Sequence, residues 1–193
     1  VLTGDRAALN FSHVKSSDLT RGTVLATTGC LQSSNRILAN ISMTNSTDWI
    51  IKNKQRLRFH IGTSEILGRV SGKKLEKGQS GNVIIDLESP VAVAMDDRFV
   101  VRSYSPMDTI AGGLVIDPKP VGKWSVLRHR TDNLPIDPKE RFGYLIDEDW
   151  KTPKSREKWQ MLFFISKEIL QSWIVEIHVM ESESGILYSE SVL

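Results

Sequence analysis

Short runs with an apolar residue at every second position fill the first two thirds of the chain. Asn35 to Met43 sets Ile37, Ala39, Ile41 and Met43 in phase. Arg56 to Ile61 puts Leu57, Phe59 and Ile61 on one face and Arg56, Arg58 and His60 on the other. Ser64 to Val70 continues after a Gly62-Thr63 break, and Ser80 to Leu87 carries Val83, Ile85 and Leu87 in phase. Period two marks a strand with one buried face. From Asp96 to Asp117 two further strands meet at a tight corner. Ser105-Pro106 interrupts them, because proline lacks a ladder donor and fixes φ. Gly112-Gly113 inside the second strand signals a bulge or a close approach. About six short strands at regular spacing predict a β-barrel that closes on itself. Upstream, Leu2 to Phe11 and Thr23-Val24-Leu25 are weakly strand-like and too small to bury a core alone. They read as the end of a domain that begins earlier.

The period changes after Asp117. Pro118 to Pro138 holds four of the seven prolines and reads as a linker. Asp137-Pro138 is a helix start, with Asp as N-cap and Pro at the first helical position. Phe142, Leu145 and Ile146 follow at helical spacing. A second segment from Thr152-Pro153 carries Trp159, Leu162 and Phe163, and a third, capped by Ser166, carries Ile169, Leu170, Trp173, Ile174 and Ile177. Val179 to Tyr188 reads as a hairpin around Gly185. Three helices and a hairpin is a winged-helix order. The third helix is acidic on its polar side, with Glu168 and Glu176, so it does not suit a recognition helix in a nucleic-acid groove.

Charge divides along the same line. Through Asp132 there are 18 Lys+Arg against 12 Asp+Glu, and beyond it 7 against 11. A basic half suits a polyanion partner. The row Arg56, Arg58, His60, with Lys52 and Lys54 ahead of it, could track a phosphate backbone or simply be a solvated barrel face. The single cysteine, Cys30, excludes an internal disulfide and fits a reducing, cytoplasmic compartment. No apolar run approaches the roughly 20 residues of a membrane span. The chain starts Val1-Leu2-Thr3-Gly4 and reads as a piece of a longer protein. Phosphate loops, paired metal ligands and nucleophile elbows are absent from the sequence, so no catalytic residue is expected in this segment.

Several strings carry a resemblance. Gly4-Asp5-Arg6-Ala7-Ala8-Leu9-Asn10 and Leu19-Thr20-Arg21-Gly22-Thr23-Val24-Leu25 resemble the end of the second domain of translational GTPases. Arg58 to Val70 (RFHIGTSEILGRV), Asp97 to Pro106 (DRFVVRSYSP) and Thr109-Ile110-Ala111-Gly112-Gly113 resemble the third domain of the selenocysteine-specific elongation factors, with Ala111 where glycine is usual. The segment from Trp150 to Ile174 resembles the first winged helix of the bacterial factors more weakly.

The resemblance implies a mainly β protein with a helical tail. Residues 1–30 would be the C-terminal part of barrel domain II, 31–118 a closed six-stranded barrel, 119–136 a linker and 137–193 a winged-helix domain. It further implies a GTP-dependent carrier of selenocysteinyl-tRNA to a ribosome paused at UGA, guided by an mRNA hairpin. GTP and magnesium would sit in an N-terminal domain outside these residues, leaving no cofactor here. Arg6 would line the selenocysteine pocket. Arg56, Arg58, His60, Thr63, Arg69, Arg98 and Arg102 would contact the tRNA or neighbouring domains. The alternative is a non-catalytic barrel and winged-helix module that binds proteins.

Overall fold

The computed structural model describes residues 5–28 and 30–190. Six antiparallel strands close into a barrel: β1 (Gln32–Met43), β2 (Gln55–Ile61), β3 (Ser64–Gly72), β4 (Ser80–Val93), β5 (Arg98–Arg102) and β6 (Thr109–Asp117). Their order around the barrel is β1-β4-β3-β2-β5-β6. The tail adds α1 (Trp124–Asn133), α2 (Pro138–Glu148), β7 (Lys154–Ser155), α3 (Arg156–Phe163), α4 (Lys167–Glu176), β8 (Met180–Glu181) and β9 (Ile186–Tyr188). The three short strands form a sheet in the order β7-β9-β8.

The alternating residues fill the barrel. Ile37, Ile41, Leu57, Phe59, Val83, Ile85, Val101 and Val115 are fully buried in one cluster. At roughly 1.5–3 kcal/mol for each large apolar side chain, this cluster drives closure. Phe59 and Phe99 meet edge to face at 6.0 Å. Phe99 pairs in register with Gly113, and a Cβ on Gly113 would lie 2.1 Å from the Phe99 ring. The double glycine therefore marks a close approach, with the ring lying where a side chain would stand. Pro90 is tolerated within β4 because the β1–β4 ladder breaks there: Arg36 pairs with Asp86, but Ser34 pairs with Val91.

A second core lies outside the barrel. Leu38 on β1, Ile84 on β4 and Ile116 on β6 face outward yet are buried against Leu127, Leu134, Phe142 and the rest of the tail. Barrel and tail thus share one apolar layer.

Two buried arginines clamp this layer. Arg130 on α1 donates to Asp117 at 2.7 Å and stands 2.7 Å from Glu148. Arg141 on α2 is fully buried, reaches Asp96 at 2.5 Å and donates to the Ile136 carbonyl. Burial opposes the charge on Arg130, but Asp117 and Glu148 more than offset this and raise its pKa.

Three expectations are corrected. The linker 119–136 contains α1. No side chain caps this helix at Lys123, and its stability comes from Leu127 and Arg130 packing on the barrel. The helix expected from Thr152-Pro153 starts instead at Arg156, as α3, capped by the Ser155 hydroxyl. The strands expected over 2–11 and 23–25 are absent among the described residues: 5–11 and 23–25 have no regular structure, and between them lie turns and a 3-10 turn at Ser16–Asp18. Residues 1–4 lie outside the described residues. A strand needs a paired neighbour, and the barrel's own edges are already closed on each other. The helix starts at Asp137 and Ser166 match expectation: Asp137 accepts from the Lys139 and Glu140 amides, and Ser166 from Ile169.

Candidate nucleic-acid interface

On β2, β5 and the loop that follows, the outward side chains form a basic and aromatic face. Strict alternation on β2 buries Leu57, Phe59 and Ile61 and turns Arg56, Arg58 and His60 outward. β5 lies beside it, pairing Arg58 with Arg102 and His60 with Val100. Tyr104, just past β5 and 52% exposed, receives both arginines: the Arg56 guanidinium is 5.2 Å and that of Arg58 5.9 Å from the ring centre. Arg102 donates to the Thr109 hydroxyl at 3.3 Å. Arg21 reaches in from the N-terminal segment to donate to the Thr63 carbonyl at 3.2 Å. That segment fits closely here, since a Cβ on Gly22 would lie 2.5 Å from the Ser64 hydroxyl.

The cations are partly answered by acids. Arg56 makes a bidentate pair with Glu88, at 2.6 and 2.8 Å. The hydrogen bonds from Arg56 hold the Glu88 carboxyl below its usual range. Arg58 pairs with Glu65, and the Arg58 Nε is buried without a hydrogen-bond partner among the described residues. His60 Nε2 is in the same position. Burial, then the charges of Arg102, Arg58 and Arg21, push the His60 pKa below its ordinary value. The imidazole is therefore neutral at pH 7 and sits in a positive field that a polyanion would relieve.

The other candidates spread out from this centre. Arg69 on β3 pairs in register with Arg56 and donates to the Lys54 carbonyl at 3.3 Å. Thr63 is exposed at the β2–β3 turn, and Arg98 is exposed at the far end of β5. Arg6 is exposed in the N-terminal segment. Arg56, Arg58, His60, Arg69 and Arg102 therefore form one face, with Thr63 at its edge. Sequence reasoning missed Tyr104 and Arg21 as members. Tyr104 follows Arg102 by two residues, a spacing that would have continued the outward face had the strand not ended at Arg102.

Among the described residues, no group of three or more His, Cys, Asp or Glu side chains could hold a metal ion. Among the described residues, no helix is long and apolar enough to cross a membrane. The face offers guanidinium donors and an aromatic ring, groups suited to recognising anions.

Comparison with known proteins is consistent with this geometry. Residues 36–121 match the model of the beta-barrel domain of the selenocysteine-specific elongation factor. The chain is 33% identical over 132 residues to the selenocysteine-specific elongation factor of Desulfomicrobium baculatum. That alignment covers 67% of this chain and 20% of the relative, so the chain spans about a fifth of the length of the curated relative it matches.

Proposed function

We propose, from the premise that residues 36–121 belong to the beta-barrel domain family of the selenocysteine-specific elongation factors, that this chain is the part of a GTP-dependent translation factor that grips selenocysteinyl-tRNA. The observation that carries the reading is the convergence of Arg56, Arg58, Arg102 and Tyr104 on one outward barrel face. Guanidinium groups pair with phosphate oxygens in forked geometry, and Tyr104 can stack on a sugar or base. Glu65 and Glu88 hold the arginines extended until phosphates replace them.

GTP and magnesium bind a domain outside these residues, and the tRNA is delivered to the ribosome at UGA. Arg6 belongs to the aminoacyl pocket. A selenolate is ionised at neutral pH and attracts a guanidinium, whereas a serine hydroxyl does not, so charge discriminates the two. Residues 1–30 belong with the preceding barrel domain, whose own strands this segment needs as pairing partners, and 137–193 form a winged helix. The order α2–β7–α3–α4–β8–β9 with its three-stranded sheet supports that assignment. With Glu168 and Glu176 on α4, the mRNA hairpin is read elsewhere.

Hydroxyl-radical footprinting of selenocysteinyl-tRNA on the full-length factor tests this reading. Protection of the acceptor side that is lost in the Arg58→Gln/Arg102→Gln variant is expected. An unchanged footprint overturns it. The pairing of Arg56 and Arg58 with glutamates favours a second reading, a protein-binding module. That reading requires a partner retained after nuclease treatment and lost in the same variant.

A further inference from the structure

Where α1 crosses the barrel, a groove of about 290 Å³ opens between the helix and the ends of β3 and β4. None of its lining residues belongs to the β2/β5 face, and three features converge on one kind of ligand. Trp124 forms a wall and is 37% exposed. Two cations lie over its ring, Lys54 at 4.7 Å and Arg36 at 5.7 Å. Arg36 is held in place by Asp86 at 2.6 Å. Lys54 has no carboxylate within ion-pair distance among the described residues.

The rim carries Lys73 and Arg128, with Asp132 at 3.4 Å from Lys73 as the opposing acid. The third feature lies among the lining residues. Ser71 is 3% exposed, and its hydroxyl has no hydrogen-bond partner among the described residues. A buried hydroxyl left unpaired costs about 1–3 kcal/mol, so this one is available to a polar group that enters the groove.

We propose that this groove seats one unpaired nucleotide of a single-stranded RNA. The base packs against Trp124 and hydrogen-bonds the Ser71 hydroxyl. The flanking phosphates take Lys73, Arg128 and Lys54, the last swinging off the indole ring. The aromatic wall and the buried hydroxyl suit a base, and the exposed cations Lys54, Lys73 and Arg128 suit its phosphates. An acidic peptide would engage the cations and leave Trp124 and Ser71 without a role. The choice of RNA over DNA rests on the translation-factor reading; the groove itself does not.

The test uses this chain and a single-stranded oligouridylate of about seven nucleotides carrying 5-iodouridine. Irradiation should give an adduct on Trp124. Trp124→Ala should weaken binding by about tenfold, and Trp124→Phe by less, since a ring remains. Ser71→Ala should weaken it severalfold without lowering the unfolding midpoint. Adducts only at other residues, or unaltered affinity in both Trp124→Ala and Ser71→Ala, overturn the proposal. So does full displacement by a polyglutamate peptide whose affinity is indifferent to Trp124→Ala. Arg58→Gln/Arg102→Gln should leave the Trp124 adduct intact. If the adduct fails while that variant still abolishes the tRNA footprint, the groove is wrong and the tRNA reading stands. The converse result keeps the groove and removes the tRNA reading.

Discussion

The barrel has a dry side and a wet side. On β1, β4 and β6, consecutive residues are buried: Ile37-Leu38-Ala39, Val83-Ile84-Ile85 and Val115-Ile116-Asp117. On β2 and β5, burial alternates with exposed or half-exposed Arg56, Arg58, His60, Arg98 and Arg102. Both sides use arginine, to opposite ends. On the dry side Arg130 is sealed among Asp117, Glu148 and Asp149, Arg141 is sealed against Asp96 and the Ile136 carbonyl, and both hold the tail on the barrel. On the wet side Arg56 is paired yet accessible, with 37% of its side chain exposed. A pair in water contributes little to stability and exchanges partners readily. A pair in the dry layer is costly to break. Architecture and recognition are therefore separable by mutation.

The largest effect should come from the dry side. Arg130→Met leaves Asp117 buried without its partner and beside Glu148 and Asp149. Loss of a buried partner of this kind costs about 3–5 kcal/mol, measurable by urea unfolding at pH 7. Burial already raises the Asp117 and Glu148 pKa values above the ordinary carboxylate range, and removing the cation raises them further. Groups raised in the folded state stabilise it below their unfolded pKa and lose that contribution as pH rises through the folded value. The variant should therefore regain part of its stability as pH falls from 7 toward the carboxylate range. A deficit that does not vary with pH would mean the clamp is packing alone.

Next comes the barrel interior. Gly113→Ala drives a methyl into the Phe99 ring and should cost about 1–3 kcal/mol. Adding Phe99→Leu should recover part of that loss, and strictly additive losses would contradict the close approach.

The wet side should respond more to pH and ligand than to denaturant. His60 has a lowered folded pKa, so the unfolded chain takes up its proton first. Stability should therefore decline slightly as pH falls through the ordinary value of 6.5. A bound polyanion reverses the field, so tRNA affinity should rise over the same range. NMR titration of the His60 ring, free and bound, checks both signs, and an unshifted free ring would contradict the positive field. The smallest effect on folding should be that of Arg56→Gln: an unchanged unfolding midpoint, with weakened tRNA binding.

This division was half legible in the sequence. The wet strands announce themselves, since Arg-Leu-Arg-Phe-His-Ile admits only one buried face. The dry strands carried a signal as well. Ile37-Leu38-Ala39 and Val83-Ile84-Ile85 are continuous apolar runs, which mark burial on both faces. Following only the in-phase residues, such as Ile37 and Ala39 or Val83 and Ile85, hid the docking surface. It also hid α1, whose few apolar residues and missing cap make it dependent on that surface. Tyr104 lies past the end of β5, and Trp124 belongs to no periodic pattern. They reach their positions through the β5–β6 turn and the α1 crossing, which only the folded chain reveals. The basic row was visible, but its glutamate partners come from other strands and follow from register.

The central claim is that the wet side is an electrostatic grip on tRNA, and its most direct test is the salt dependence of tRNA affinity. The account predicts a steep fall of log K with log salt, and a slope shallower by roughly two contacts, at about 0.9 each for a duplex, in Arg58→Gln/Arg102→Gln. An identical slope in wild type and variant would contradict it.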